Sequence, residues 1–180
     1  MKTPSAWLGL ILFSAVMSTP LFAQDDGIGV GPRGGSVFAE FSAARTGQGA
    51  GVIWGGSGGG YIQGHVLGFG ARVTALPGNA NIHAYDAVIG PRLAVSFPLV
   101  RLFVEAGGGM GRSDSYNAAG VFGSSSGSTW GAAWQADAGV SHGILPRVEW
   151  RILEVGYGHI YGGQGVAPVI ASSGLTLHLW

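Results

Sequence analysis

The chain of 180 residues has no cysteine, so neither disulfide staples nor thiolate chemistry is open to it. Lys2 is its only lysine. Charged residues make up 10% of the chain, against roughly 25% in ordinary soluble domains. Beyond residue 23, eight Arg stand against nine Asp and Glu. That balance lacks the clustered basic surface a nucleic-acid binder needs. No stretch after residue 23 offers about 18 continuous apolar residues, which excludes a transmembrane helix there.

Three things are present in compensation. The first is a leader. Met1 and Lys2 give a basic start, residues 6–17 are an apolar core, Pro20 breaks it, and Ala23 offers a small residue before Gln24. This pattern predicts a signal peptide over residues 1–23. Its apolar core is shorter than the roughly 20 residues an uncleaved anchor would need. Residues 24–34 then read as a short periplasmic segment, and residues 35–180 as one domain.

The second is glycine, 35 of 180 residues, without the triplet period of a collagen helix. The third is a repeated alternation with period two, the mark of a half-buried strand. Trp130, Trp134, Ala136, Ala138 and Val140 share one face, and Gln135, Asp137, Gly139 and Ser141 the other. Val100, Leu102, Val104 and Ala106 oppose Arg101, Phe103, Glu105 and Gly107. Ile89, Leu93 and Val95 oppose Asp86, Arg92 and Ser96. Leu67, Phe69 and Val73 oppose Arg72 and Thr74, and Val37 and Phe41 oppose Glu40 and Ser42. Near Pro146 to Tyr157 the phase slips once. A β-bulge at Ile152-Leu153 would keep Glu149, Arg151 and Glu154 on one side. A closing strand covers Ser173 to Trp180, where Trp180 shares its phase with His178 and Thr176 and not with the leucines. The glycine-rich stretch Gly51 to Gly64 reads as strand or loop.

Counting that stretch gives eight strands, an even number as closure of a membrane barrel requires. Phe97-Pro98-Leu99 and His142 to Pro146 read as tight turns. Arg112 to Thr129 and Gly158 to Val169 read as long loops, so short and long connections alternate. The expected fold is all-β: an eight-stranded antiparallel up-and-down transmembrane β-barrel. Alternation alone does not say which face is inside, since a soluble barrel alternates too. The mid-strand charges decide it. Glu40, Asp86, Glu105, Asp137, Glu149 and Glu154 nearly balance Arg72, Arg92, Arg101 and Arg151. A narrow lumen lets such groups pair by charge-assisted hydrogen bonds, with glycines on the same face leaving room for them. Trp130, Trp134, Trp150, Tyr157 and Trp180, with Tyr161, are then candidates for the aromatic girdles at the membrane interfaces.

The run Pro146 to Gly158, the closing Ser173 to Trp180 and the Gly90 to Val95 stretch resemble the small eight-stranded outer-membrane barrels of the OmpA/OmpX-like class. More narrowly they are similar to the "outer membrane protein beta-barrel domain" proteins. The resemblance implies outer-membrane residence among membrane lipid and lipopolysaccharide, and insertion by the barrel-assembly machinery with periplasmic chaperones.

His65, His83, His142, His159 and His178 show no metal-ligand spacing, with His142 expected at a turn and His159 at a loop edge. Residues 29–34 spell GxGxxG but lack the strand before and helix after that the motif needs. Gly107 to Ser113 resembles a phosphate loop without its lysine. A lipid A-modifying site would need Ser and His facing outward near an acid, and His159 with Glu154 lacks the serine. The expectation is a structural or surface-binding barrel with a filled lumen, no catalysis, no metal and no cofactor, the ligand of its loops left open. A narrow passive channel is the alternative, and a lipid A-modifying enzyme the third reading.

Overall fold

A computed structural model describes residues 34–46, 51–77, 82–115, 130–162 and 165–180. The leader over 1–23, the segment 24–33 and the stretch 116–129 lie outside the described residues. Eight strands follow one another: β1 (Gly34–Arg45), β2 (Val52–Gln63), β3 (Leu67–Leu76), β4 (Ile82–Ser96), β5 (Arg101–Ser115), β6 (Trp130–Leu145), β7 (Val148–Ile160) and β8 (Val169–His178). Each pairs antiparallel with the next. β8 returns to β1, from Ser36↔His178 to Arg45↔Val169, and closes the barrel. Closure leaves no unpaired sheet edge, the condition for β structure in a hydrocarbon solvent.

Alternation sorts the side chains as the sequence pattern requires. On β6, Ala133, Gln135, Asp137 and Ser141 are buried inside, while Trp130 and Trp134 are exposed outside. Phe41, Ile62 and Leu67 are 62%, 67% and 63% exposed, whereas Arg72 and Arg151 are each 1% exposed. The barrel is therefore apolar outside and charged inside.

The ambiguous stretch after Gly51 is a full strand. Its serine and glycines face β1 and β3 where bulk is excluded: a Cβ on Gly59 would sit 3.0 Å from the Phe38 ring and 2.1 Å from the Ala71 carbonyl oxygen. The bulge on β7 is where the phase slip places it. Arg151 pairs with Gly174 and Glu154 with Ser172, three residues against two, so one extra residue is absorbed. On the β6 side Val140 pairs with Leu153 and Ser141 with Arg151, which marks Ile152 as the extra residue.

Three expected connections are shorter than the sequence suggested. Arg112 to Ser115 belong to β5, Gly158 to Ile160 to β7, and His142 to Leu145 to β6. Small residues read as loop in composition, but Gly111 and Ser113 keep the inward phase and the ladder continues through them. Gly107 to Ser113 is likewise extended strand. At the C-terminus the strand ends at His178. The Leu179 amide still bonds the Gly35 carbonyl at 2.8 Å, and Trp180 lies beyond, 73% exposed.

The interior has three levels. Near the short turns lie Ser36, Ser96, Arg101, Ser141, Glu149 and His178. Mid-height holds the remaining charges. The loop end is apolar, a cluster of Ala44, Ile53, Leu76, Ala84, Val88, Ala133, Ile160 and Ile170. The connection after β7 folds over this cluster. Ile160 and Val166 exchange backbone hydrogen bonds of 2.8 and 3.0 Å, and Val166 is 1% exposed.

Candidate functional site

Strand register brings the inward charges together from distant parts of the chain. Arg72 Nη1 donates to Glu154 and, at 3.3 Å, to Glu40 Oε2. Its Nε lies 3.9 Å from Asp137 Oδ2. Arg151 Nη2 donates to Glu154 Oε2 at 2.5 Å. Its Nε is 2.8 Å from Glu40 Oε1 but off-line for a hydrogen bond. Two arginines and two glutamates thus form a compensated foursome, every member buried. Arg92 Nη1 pairs with Glu105 Oε2 at 2.9 Å. The bulge is what admits Glu154 to the group: Arg151 and Glu154 are three residues apart, and under strict alternation with all of them in the ladder they would lie on opposite faces.

Asp137 and Asp86 stand at the margin. Asp137 accepts from Gln135 at 2.7 Å. Gly156 opposite it has no room for a side chain, since a Cβ there would lie 2.0 Å from Asp137 Oδ1. Asp86 is buried with Oδ1 lacking a hydrogen-bond partner among the described residues.

Aromatic rings interleave with the guanidinium groups. Arg72 and Arg151 lie 5.0 and 4.2 Å from the Phe38 ring centre, Arg151 and Arg92 lie 4.4 and 4.0 Å from Phe103, and Arg92 lies 4.2 Å from Tyr61. Such contacts favour a desolvated cation by about 2 kcal/mol each. Sequence reasoning put Phe103 on the charged face without giving it a role, and missed Phe38 and Tyr61. The signal was there: an aromatic residue at the phase of the charges, as Phe38 is two residues before Glu40.

Near the short turns, Arg101 Nη1 pairs with Glu149 Oε2 at 2.9 Å and its Nε donates to Ser96 Oγ at 3.0 Å. Ser141 donates to the other Glu149 oxygen. His178 Nε2 lies 2.9 Å from Glu149 Oε2, and its Nδ1 lies 2.8 Å from Ser36 Oγ. Ser36 and His178 face each other across the β1–β8 seam, so this chain of bonds ties the first strand to the last. His178 is the histidine that joins the interior network, a part the sequence did not single out for it. His142 bonds the Leu99 carbonyl at 2.5 Å, and His159 packs on Tyr161 with ring centres 4.3 Å apart. No cluster of three metal-ligating side chains occurs among the described residues.

The outward aromatics fall at both ends. Trp130, Trp134 and Tyr157 are exposed toward the loop end, with Trp134 and Tyr157 edge to face at 5.6 Å. Trp150 and Trp180 lie toward the turn end, where Trp150 Nε1 donates to Ser173 Oγ at 3.2 Å. Phe41 and Trp54 form a further exposed stack at 5.4 Å.

No protein-family model matches the chain, and no curated protein matches it. Solved structures do. Neisserial surface protein A is 18% identical, with a TM-score of 0.61, over 86% of this chain and 100% of that one. The N-terminal β-barrel domain of Pseudomonas aeruginosa OprF is 16% identical, with a TM-score of 0.52, over 81% and 100%. At such identities the likeness concerns the fold. The chain has the closed eight-stranded architecture of the small outer-membrane β-barrels.

Proposed function

We propose that this chain is an exported, integral outer-membrane barrel with a filled lumen and a structural or surface-binding role that involves no catalysis. The observation that carries the reading is the inversion of polarity: a wall of exposed Phe, Ile, Leu and Val around an interior of buried Arg and Glu. In water that arrangement would expose far more contiguous apolar surface than a soluble monomer tolerates. In a bilayer it places each group in its own medium. The leader at residues 1–23 supports export, and the exposed tryptophans at both ends suit the two interfaces. Lipid and lipopolysaccharide are then its surroundings, and the loop-end connections its outward face.

The packed apolar cluster at the loop end supports a filled lumen over a narrow passive channel, because an ion would have to shed its hydration to pass Ala44, Ile53, Leu76 and Ile160. A lipid A-modifying activity has less support, since among the described residues His159 stacks on Tyr161 and hydrogen-bonds no serine or carboxylate. The test is gel mobility of the refolded protein in micelles, boiled and unboiled, followed by conductance in planar bilayers. A compact unboiled form with no discrete current steps is expected. A chain that stays soluble and monomeric without detergent would overturn the membrane reading. Regular current steps would overturn the filled lumen.

A further inference from the structure

The outward wall is not uniformly ridged. Between β4 and β7 it carries a groove of about 570 Å³. Two rows of paired residues build it. Nearer the turns run Leu67, Leu93, Val104, Ala138 and Val155, and one step toward the loops run Pro91, Ala106, Ala136, Tyr157 and Val169. Ala106, Ala136 and Ala138 form the floor because their side chains end at one methyl group. Leu93 rises on one side, Val155 and Tyr157 on the other. Pro91 adds to the relief: it has no amide to donate, and the β4–β5 ladder skips Gly90 and Pro91.

The loop end of the groove is marked chemically. Trp134 stands one row beyond it and packs edge to face on Tyr157. Two rows further on, Arg112 pairs across the β5–β6 ladder with Trp130, both on the outward phase. An apolar trough thus leads up to an aromatic pair and then to a guanidinium at the rim. A chain lying in the trough would carry its headgroup to the level of the tryptophans, where an anionic group meets Arg112.

Thirteen residues line the groove, fewer than the roughly 20–30 per side of a stable protein interface. A second barrel would also present a convex wall that bridges the trough instead of filling it. A single hydrocarbon chain suits both its apolar lining and its medium.

Resting on the membrane-barrel reading above, we propose that this groove seats one acyl chain of an outer-leaflet phosphorylated glycolipid, with Arg112 at the level of its phosphate. The test is native mass spectrometry of the refolded, delipidated protein in micelles, titrated with lipid A or with dipalmitoyl phosphatidylethanolamine. The variant Ala136→Leu/Ala138→Leu fills the trough. The double variant Ala71→Leu/Ala87→Leu adds the same bulk on the outward wall outside it and is the control. Each sample is first checked for the boiled-against-unboiled shift, so failure of the membrane reading shows separately as loss of that shift in the unaltered chain. One lipid A per barrel is expected, bound about tenfold more weakly by the filled variant and unchanged by the control. Arg112→Gln should narrow the preference for lipid A over the phosphatidylethanolamine. Equal retention by the filled variant, or equal binding of the two lipids by the unaltered chain, would overturn the proposal. So would a dimer that the filling substitutions dissolve, which would make a second copy the occupant.

Discussion

Removing one arginine from the central foursome tests the lumen most directly. Arg151 is 1% exposed and serves both Glu40 and Glu154, while its guanidinium lies 4.2 and 4.4 Å from two aromatic rings. In Arg151→Leu, Arg72 alone is left to compensate two glutamates. Breaking a buried pair by removing one partner costs about 3–5 kcal/mol, because the remaining charge stays desolvated. With a urea slope of about 2 kcal/mol per molar, the unfolding midpoint in micelles should fall by roughly 2 M. The double variant Arg151→Leu/Glu154→Gln restores the balance of charge, so it should recover part of that loss. The readout is the midpoint followed by gel shift and tryptophan fluorescence. An unchanged midpoint in the single variant, or a double variant no better than the single, would refute the argument that charge compensation holds the interior together.

Three other perturbations separate packing, seam and register. Phe103→Ala removes the ring that Arg92 and Arg151 share and opens space beside Gly139; a loss of about 3–5 kcal/mol is expected in the same unfolding assay, with Phe103→Tyr much milder. His178→Ala cuts the tie between Ser36 and Glu149 across the β1–β8 seam and should cost about 1–2 kcal/mol, with faster amide exchange confined to those two strands; uniform exchange changes would count against a local clasp. Deleting Ile152 removes the bulge residue and restores strict alternation, so the barrel should still give its heat shift. Deleting Val155 turns every later β7 side chain to the wrong face and should abolish the shift; equal tolerance of both deletions would show that side-chain alternation beyond Glu154 does not set the β7 register.

The sequence by itself determined the strand alternation, the single phase slip on β7, and the sign of each face. These are local: period two puts Arg101, Phe103 and Glu105 on one side whatever the neighbours do, and an unpaired buried charge is costly enough that Glu149, Arg151 and Glu154 must share a side. Strand ends were less legible, because Gly and Ser serve equally as loop residues and as the small inward residues of a crowded lumen. Gly51 to Gly64 and Arg112 to Ser115 show this. Tertiary structure alone decided who meets whom. The bond from Arg72 to Glu154 spans 82 positions and that from Ser36 to His178 spans 142, and both depend on closure of β8 on β1. The apolar seal at the loop end and the alanine-floored groove have the same origin. Each is assembled from single residues on several strands, and only the inter-strand register aligns them, a property of the closed sheet that no single strand carries.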